Sequence, residues 1–341
     1  MPIVTLIRGA RQLLTLRGPT GPRRGSDLGN LGIIQDGAVL IADGRIIEVG
    51  PSRRLENLAI AREAEEMDAS GCVVLPGFVD SGIPLVSNAQ DLSPRALKTL
   101  ALRVINDAVR YGTTAMEAKC GPGLAEAAAL KLLRVQAALR ELPFTMVSTL
   151  VMPDESLLAM PRIRKLADFA EIRREDTAVQ AQARQLGWTV KQRASSSPQI
   201  TEREAILLSR SETLALLEPV PLFLANDIYP PARMLIDNGA AVALASGAIP
   251  ANMQMAIALA CRAMNMTPAE AISASTINAA YAIGRARNLG SIEAGKSADL
   301  AILSVPDYRE MPYHFGVNLA NLVMIRGSVR VEKSEVKWPD R

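Results

Sequence analysis

Three side chains that can do chemistry lie at the end of one predicted strand: Glu117, Lys119 and Cys120. Glu117 and Lys119 are two residues apart, so in a strand they project from the same face. A carboxylate can act as a general base, and an ammonium group can bind an anion or a polarised carbonyl oxygen. The alternative is a Glu–Lys pair in which the two groups satisfy each other. Cys120 is best explained as a small buried thiol, since no histidine is available to activate it.

Further polar residues also follow predicted strands and are expected at the same end of a parallel sheet. A guanidinium fork could bind a small carboxylate without a metal. The candidate catalytic residues are therefore Glu117, Asp80 and Asp227. The candidate ligand-binding residues, for a small carboxylate or a cyclic amide, are Lys119, Arg193 and Asn226.

The chain of 341 residues contains a single histidine, His314, and three cysteines. Cys72, Cys120 and Cys261 show no C-x-x-C spacing, which predicts three reduced thiols. His314 could be proposed as a metal ligand, but it falls near the C-terminus, away from the predicted parallel strands. We interpret it as a packed or hydrogen-bonded side chain.

Composition excludes several classes of function. The net charge of +3 is too small and too evenly spread to indicate nucleic-acid binding. The first residues lack the pattern of a signal peptide. The uncharged stretch 239–261 contains Ser, Gly, Pro, Asn and Gln in its middle, so it is typical of a strand, a loop and a helix instead of a membrane span. We expect a cytoplasmic protein without a membrane segment.

The two ends of the chain carry strand patterns, including a hairpin over 38–50 with Asp43-Gly44 at its turn. Between them strands alternate with helices, which predicts a parallel sheet. The predicted strands span 73–79, 113–118, 144–152, 188–192, 221–225 and 240–245. The predicted helices span 97–111, 124–142, 168–186 and 201–217, with another that begins at Thr267. The predicted fold class is α/β: a (β/α)8 TIM-like barrel, whether complete, distorted or incomplete, plus a small β-sandwich built from both chain ends.

Three segments resemble one family. TINAAYAIG at 276–284, followed by GSIEAGKSADL at 290–300, is similar to the C-terminal signature of the amidohydrolase superfamily. YGTTAMEAKCGPGL at 111–124 and VPDYREMPYHFGVN at 305–318 resemble segments of imidazolonepropionases within it. The resemblance covers nearly the whole chain, which is shorter than the family pattern. It implies a composite β-sandwich from residues 1–75 and 294–341 around a barrel of residues 76–293.

The resemblance also implies where metal ligands belong, and this chain departs from the pattern at each position. Family members use Zn or Fe, held by an H-x-H pair, a further histidine and an aspartate. Here those positions are Gly82, Pro84, Arg193 and Gly247. None of these side chains can coordinate a divalent metal, and arginine is cationic at any working pH. The substitutions at these four positions therefore predict that the chain has no metal cofactor.

Two functions remain open. The first is a catalytically degenerate amidohydrolase that binds a small molecule or serves as a scaffold, as a homodimer or as the partner of an active homologue. The second is an active hydrolase of cyclic amide C–N bonds with a relocated or metal-free site. There, Glu117, Asp80 or Asp227 would act as general base, and Lys119 or Arg193 would stabilise an oxyanion.

Overall fold

The structure is a computed structural model that describes residues 4–84, 91–122, 124–153, 155–193, 198–333 and 335–337. Both chain ends contribute strands to one sheet, and the middle of the chain contributes parallel strands separated by helices. Among the helices in these ranges, none is long and apolar enough to cross a membrane.

The described residues form the following strands: β1 Val4–Leu14, β2 Ile33–Ala42, β3 Arg45–Pro51, β4 Glu65–Asp68, β5 Val73–Pro76, β6 Phe78–Ile83, β7 Thr113–Cys120, β8 Thr145–Val151, β9 Phe169–Arg173, β10 Val190–Arg193, β11 Ala215–Leu217, β12 Val242–Leu244, β13 Leu300–Leu303, β14 Ala320–Ile325, β15 Ser328–Glu332 and β16 Glu335–Val336. The helices are α1 Ser52–Leu55, α2 Pro94–Arg110, α3 Glu126–Leu139, α4 Glu155–Leu158, α5 Pro161–Leu166, α6 Thr177–Gln185, α7 Glu202–Ser209, α8 Pro219–Ala225, α9 Ala232–Asp237, α10 Met253–Ala263, α11 Pro268–Ser275 and α12 Ile277–Ala282. Three short 3-10 helices lie at Gly25–Gly29, Ala59–Glu63 and Tyr308–Tyr313.

The end sheet is built from β1–β5 and β13–β16, paired in the order β16-β15-β14-β13-β5-β1-β2-β3, with β4 also on β1. The expected sandwich at the chain ends is not confirmed; the described strands make one continuous hydrogen-bonded sheet. The reason is β5, which pairs in parallel with β1 on one side and antiparallel with β13 on the other. Side chains from both chain ends share one core, among them Ile7, Val39, Val74, Leu300 and Met324.

The predicted hairpin over 38–50 is confirmed by the antiparallel pairing of β2 and β3. Asp43 and Gly44 both have positive φ, 49° and 75°. A two-residue turn with positive φ at both positions matches the twist of the flanking strands, and Asp-Gly is one of the few pairs that accept it.

The predicted strand 73–79 is divided at Gly77. Residues before Gly77 form β5 of the end sheet, and residues after it form β6, the first parallel strand. A Cβ atom on Gly77 would collide with the side chain of Thr114, the second residue of β7. Glycine therefore lets the chain pass close to β7 at the point where it leaves one sheet for the other.

The parallel strands form a half-barrel. Five of them pair in the order β10-β9-β8-β7-β6, and β11 pairs with β12 in a separate two-stranded sheet. A complete (β/α)8 barrel would have eight parallel strands, and the described residues contain seven, β6 to β12. Side chains cross both gaps between the two sheets: Thr213 Oγ1 donates to Gln192 Oε1 at 3.1 Å, and Ser81 Oγ donates to the Leu244 carbonyl at 3.0 Å.

Three element predictions in the middle of the chain are wrong. The predicted strand 221–225 is helix α8, because Pro219 occupies the first helical turn, where proline is favoured. The predicted helix 201–217 ends at Ser209, and its last residues form strand β11. The predicted helix 168–186 contains strand β9 before α6 begins at Thr177. The elements concerned are only three to seven residues long, and periodicity over so few residues does not distinguish helix from strand.

The predicted helix starts at Thr201 and Thr267 are confirmed as capping boxes. Each threonine side chain accepts from the backbone N–H of the glutamate three residues later, and that glutamate accepts from the threonine backbone N–H. Glu270 also holds Arg233 of α9 through two hydrogen bonds of 2.9 and 3.0 Å. The second capping box therefore ties α9 to α11 as well as starting α11.

Candidate ligand pocket in the half-barrel

A cavity of about 480 Å³ lies along the inner face of the half-barrel. Its walls come from β6, β7, β9, β10, β11 and β12, with α12 and the residues after it at one end. Its polar lining residues include Ser81, Glu117, Lys119, Glu171, Arg184, Lys191, Gln192, Glu212, Thr213, Glu218 and Tyr281. The strands, the segments between them and helix α6 thus bring charges of both signs to one cavity.

Two ion pairs cross this cavity between strands. Lys119 Nζ lies 3.2 Å from Glu171 Oε2, and Lys191 Nζ lies 2.5 Å from Glu117 Oε1. The expected alternative was a pair between Glu117 and Lys119, and each of these residues instead has a partner on another strand. Neighbours at i and i+2 run along one strand, so long side chains that point inward meet more readily across the curved sheet.

The Glu117–Lys191 pair is nearly enclosed by protein. Only 3% of the Glu117 side chain and 18% of the Lys191 side chain are exposed. Glu117 also accepts a short hydrogen bond from Thr149 of β8, and the Lys191 ammonium group lies 4.2 Å from the centre of the Phe169 ring. These contacts compensate both buried charges, which would be costly if either were alone.

Asp80 is completely buried in β6 and is outside the described lining of the cavity. Its carboxylate accepts from the backbone N–H of Ser246 at 3.0 Å and from the Ser246 hydroxyl in a short contact. Burial raises the pKa of Asp80 above its ordinary value, against hydrogen bonds from Ser246 and Gly82 and the charge of Lys119. Asp80 therefore joins β6 to the chain that follows β12.

The ligand positions that the resemblance assigns are occupied as follows. A Cβ on Gly82 would lie 3.0 Å from Lys119 Cε and 3.2 Å from Lys119 Nζ, so the lysine fills the space beside it. Gly247 has φ of 66°, and a Cβ there would lie 2.9 Å from the Cβ of Glu218. Pro84 is exposed after the end of β6.

The other predicted site residues are not brought together. Asn226 and Asp227 are exposed and follow helix α8, so they do not extend from a strand end into the cavity as expected. Arg193 is the last residue of β10, and its side chain lies outside the described part of the structure.

The cysteine and histidine candidates have ordinary surroundings. Burial raises the pKa of Cys120 to about 12, which makes it a poor nucleophile, in agreement with its interpretation as a structural thiol. His314 is exposed, with Nε2 3.8 Å from Glu310 Oε2, and it follows the 3-10 helix Tyr308–Tyr313.

Sequence reasoning missed three residues of the charged cluster: Thr149, Glu171 and Lys191. Glu171 falls within the predicted helix 168–186, so its place on a strand was hidden. Lys191 lies two residues before Arg193, the ligand position that the resemblance assigns, and nothing local to it predicted a role of its own. A signal for Lys191 and Glu171 was available, because a Glu or Lys that points inward from a parallel strand needs a side chain of opposite charge as its partner.

Comparison with known proteins agrees with this architecture. The amidohydrolase family model matches residues 219–330. An imidazolonepropionase of Parabacteroides distasonis is 32% identical, over 95% of this chain and 98% of that protein. One of Solibacter usitatus is 33% identical, with the same coverage of both chains. The chain belongs to the imidazolonepropionase family of amidohydrolases. The first alignment runs over 408 positions, so this family member is internally shorter than its relative.

Solved structures of other enzymes share the fold of this imidazolonepropionase-family chain. A triazine hydrolase variant superposes with a TM-score of 0.71 at 15% identity, over 99% of this chain and 97% of that one. The guanine deaminase of E. coli gives a TM-score of 0.69 at 15% identity, over 96% and 99% of the two chains. At these identities the likeness concerns the fold alone.

Proposed function

We propose that this chain is a metal-independent, catalytically degenerate member of the imidazolonepropionase family that binds a small polar ligand in the half-barrel cavity. The observation that carries this proposal is the position of Lys119. Its ammonium group lies against the place where a side chain at residue 82 would begin, and it is held there by Glu171. A fixed cation at that point disfavours a second, divalent cation beside it.

The remaining ligand positions support the same conclusion. The residues present do not fit a metal, because Gly82 and Gly247 have no side chain and Pro84 has no donor atom. Among the described residues, no group of three or more His, Cys, Asp or Glu is arranged to hold a metal ion. Water activation by a bound metal is the step on which metal-dependent hydrolysis of this kind depends.

The cavity suits a ligand with both acceptor and donor groups. Lys119 and Lys191 offer ammonium donors to a carboxylate or a carbonyl oxygen, and Glu117 and Glu171 offer acceptors to N–H groups. A small carboxylate or a cyclic amide presents these groups on a compact frame. Because the four acidic and three basic side chains of the lining nearly cancel, a neutral or zwitterionic ligand is favoured over a multiply charged one.

The competing proposal is a metal-free hydrolase that uses Glu117 as general base and Lys119 to stabilise an oxyanion. It has support in the fact that both groups line the same cavity. Against it, Glu117 already accepts from Thr149 and Lys191. A base so engaged must give up a partner before it can take a proton from water.

Metal content and turnover distinguish the two proposals. The protein is purified from cells grown with added Zn or Fe, dialysed against a chelator, and analysed for metals by mass spectrometry. The Parabacteroides distasonis imidazolonepropionase serves as the positive control. We expect far less than one metal per chain, and no turnover of imidazolones, hydantoins or other cyclic amides. One tightly held Zn or Fe per chain, or turnover that Glu117→Ala abolishes, would contradict the proposal.

Ligand binding is tested separately, by thermal shift and calorimetry with a panel of small carboxylates and cyclic amides. We expect saturable binding that is lost in Lys119→Met and retained in Lys165→Met, which removes an exposed lysine of α5. Equal loss in both variants, or binding in neither the parent nor the variants, would contradict a ligand site in this cavity.

A further inference from the structure

A second cavity, of about 530 Å³, lies between the end sheet and the half-barrel, and four arginines line it. They come from four separate parts of the chain: the start of β3, the end of α3, the segment after α12 and the β14–β15 turn. These residues are Arg45, Arg140, Arg285 and Arg326. Such a concentration of guanidinium groups from distant segments is costly unless negative charge compensates it.

The compensation available in the protein is incomplete. Asp168 binds two of the four, with Oδ2 2.7 Å from Arg140 Nη2 and Oδ1 3.0 Å from Arg285 Nη2. Asp43 is the one acidic residue among the described lining residues. The Asp299 carboxylate also lies close to Arg326, and its Oδ1 accepts from the Arg326 backbone N–H at 2.8 Å. Four guanidinium groups therefore face three carboxylates, which leaves a surplus of positive charge.

One donor that lines this cavity is also left without an acceptor. The Nε atom of Arg140 is buried and has no hydrogen-bond partner among the described residues. The one hydrogen bond found for the Arg45 guanidinium in these ranges goes to the carbonyl of Gly295, at 2.8 Å. Thr145, Asn288 and Ser297 add neutral polar groups to the same lining. A buried donor without an acceptor is uncommon, and a ligand oxygen is one way to satisfy it.

We propose that this cavity binds a phosphate group, free or as part of a small phosphorylated molecule. A phosphate group supplies the missing negative charge, and its tetrahedral oxygens can accept from several guanidinium forks at once. A single carboxylate offers fewer acceptor sites. None of Glu117, Lys119, Glu171 and Lys191 lines this cavity, so this site is separate from the proposed ligand pocket.

A phosphate bound here would join the two layers of the protein. Arg45 begins β3 and Arg326 lies in the β14–β15 turn, both in the end sheet, whereas Arg140 and Arg285 follow helices of the half-barrel. A ligand that binds the folded protein and not the unfolded chain raises the unfolding temperature in proportion to the logarithm of its concentration. Occupancy is therefore visible in stability as well as in direct binding.

The test uses the full chain, with inorganic phosphate and glycerol phosphate as probes and chloride at equal ionic strength as the reference. We expect saturable calorimetric binding and a rise in unfolding temperature that chloride does not give. Tighter binding of glycerol phosphate would identify a phosphorylated molecule as the ligand, and equal or weaker binding would identify free phosphate. Absence of saturable binding of both would overturn the proposal.

Variants locate the binding. Arg45→Gln and Arg326→Gln each remove one exposed guanidinium from the cavity, and Arg287→Gln removes an exposed arginine that does not line it. We expect each cavity variant to lose about tenfold in phosphate affinity, since a charged hydrogen bond contributes that much, while Arg287→Gln keeps it. Circular dichroism checks that each variant is folded. An equal loss in Arg287→Gln would show general surface charge and contradict the assigned site.

Discussion

Glu117 and Lys191 lie three strands apart in the parallel sheet, and their charged atoms are 2.5 Å from each other. In a flat sheet three strand spacings amount to about 14 Å, more than two side chains readily span. The contact is therefore a consequence of curvature, which turns the inner face of β7 towards that of β10. The pair lies across the concave side of the half-barrel and links β7 to β10.

The first prediction concerns this pair. Glu117→Gln leaves the Lys191 charge without its counter-ion, and we expect the free energy of unfolding to fall by about 3 kcal/mol. The double variant Glu117→Gln/Lys191→Met removes both charges and should recover most of that loss. Urea unfolding of the four proteins gives the coupling.

The control is an exposed pair of similar length, Glu48 with Arg54 at 2.9 Å, whose side chains are 42% and 50% exposed. Its removal should change stability little, because solvent screens surface pairs. A double variant at Glu117 and Lys191 as unstable as Glu117→Gln would refute the argument from an uncompensated charge.

The second prediction concerns Gly247, where the resemblance expects a metal-binding aspartate. Gly247→Ala combines a positive φ with a Cβ placed 2.9 Å from that of Glu218. Gly295→Ala is the matched control, since it has φ of 87° and no atom within 4 Å of the added Cβ. We expect the control to lose about 1 kcal/mol from backbone strain alone, and Gly247→Ala to lose clearly more in thermal or urea unfolding. Equal losses would show that the space beside residue 247 is open.

The third prediction concerns pH. The pKa of Asp80 is raised in the folded protein, so folding favours its protonated form. Its contribution to stability is therefore most favourable in acid, below the pKa of the unfolded chain. It declines as the pH rises through the higher folded pKa. The free energy of unfolding of the parent minus that of Asp80→Asn should thus decrease from about pH 4 upwards. A difference that increases with pH would show a lowered pKa.

The fourth prediction compares two capping boxes of the same type. Thr267→Ala removes the cap of α11, whose residues are mostly buried, while Thr201→Ala removes the cap of the more exposed α7. We expect Thr267→Ala to cost about 1 kcal/mol or more, and Thr201→Ala to cost less because water can satisfy the freed N–H groups. Chemical unfolding curves measure both. A larger loss at Thr201 would contradict the role assigned to burial.

Much of the fold could be predicted from sequence, where the signal is local. The Asp43-Gly44 turn and the caps at Thr201 and Thr267 depend on residues a few positions apart, and each appears as expected. Strand β9 and helix α8 were mistaken because each is too short for its periodicity to distinguish strand from helix. In those regions packing against the rest of the half-barrel decides the element, and no local pattern records it.

The charged cluster shows the same limit. Glu117 and Lys119 were recognised because their spacing puts them on one face of a strand. Their partners Lys191 and Glu171 lie on other strands, so the pairing depends on how the sheet curves. The ligand-position substitutions were visible from the family pattern, whereas the position of Lys119 beside Gly82 required coordinates.

The pairing of β5 with both β1 and β13 also has a consequence for the order of events during synthesis. The N-terminal strands leave the ribosome first, yet the free edge of β5 is covered only when β13, near the end of the chain, has been made. Until then an unpaired strand edge is open to other chains. A nascent chain of this protein therefore leaves this edge of β5 unpaired while the whole half-barrel emerges, and the synthesis of β13 then covers it.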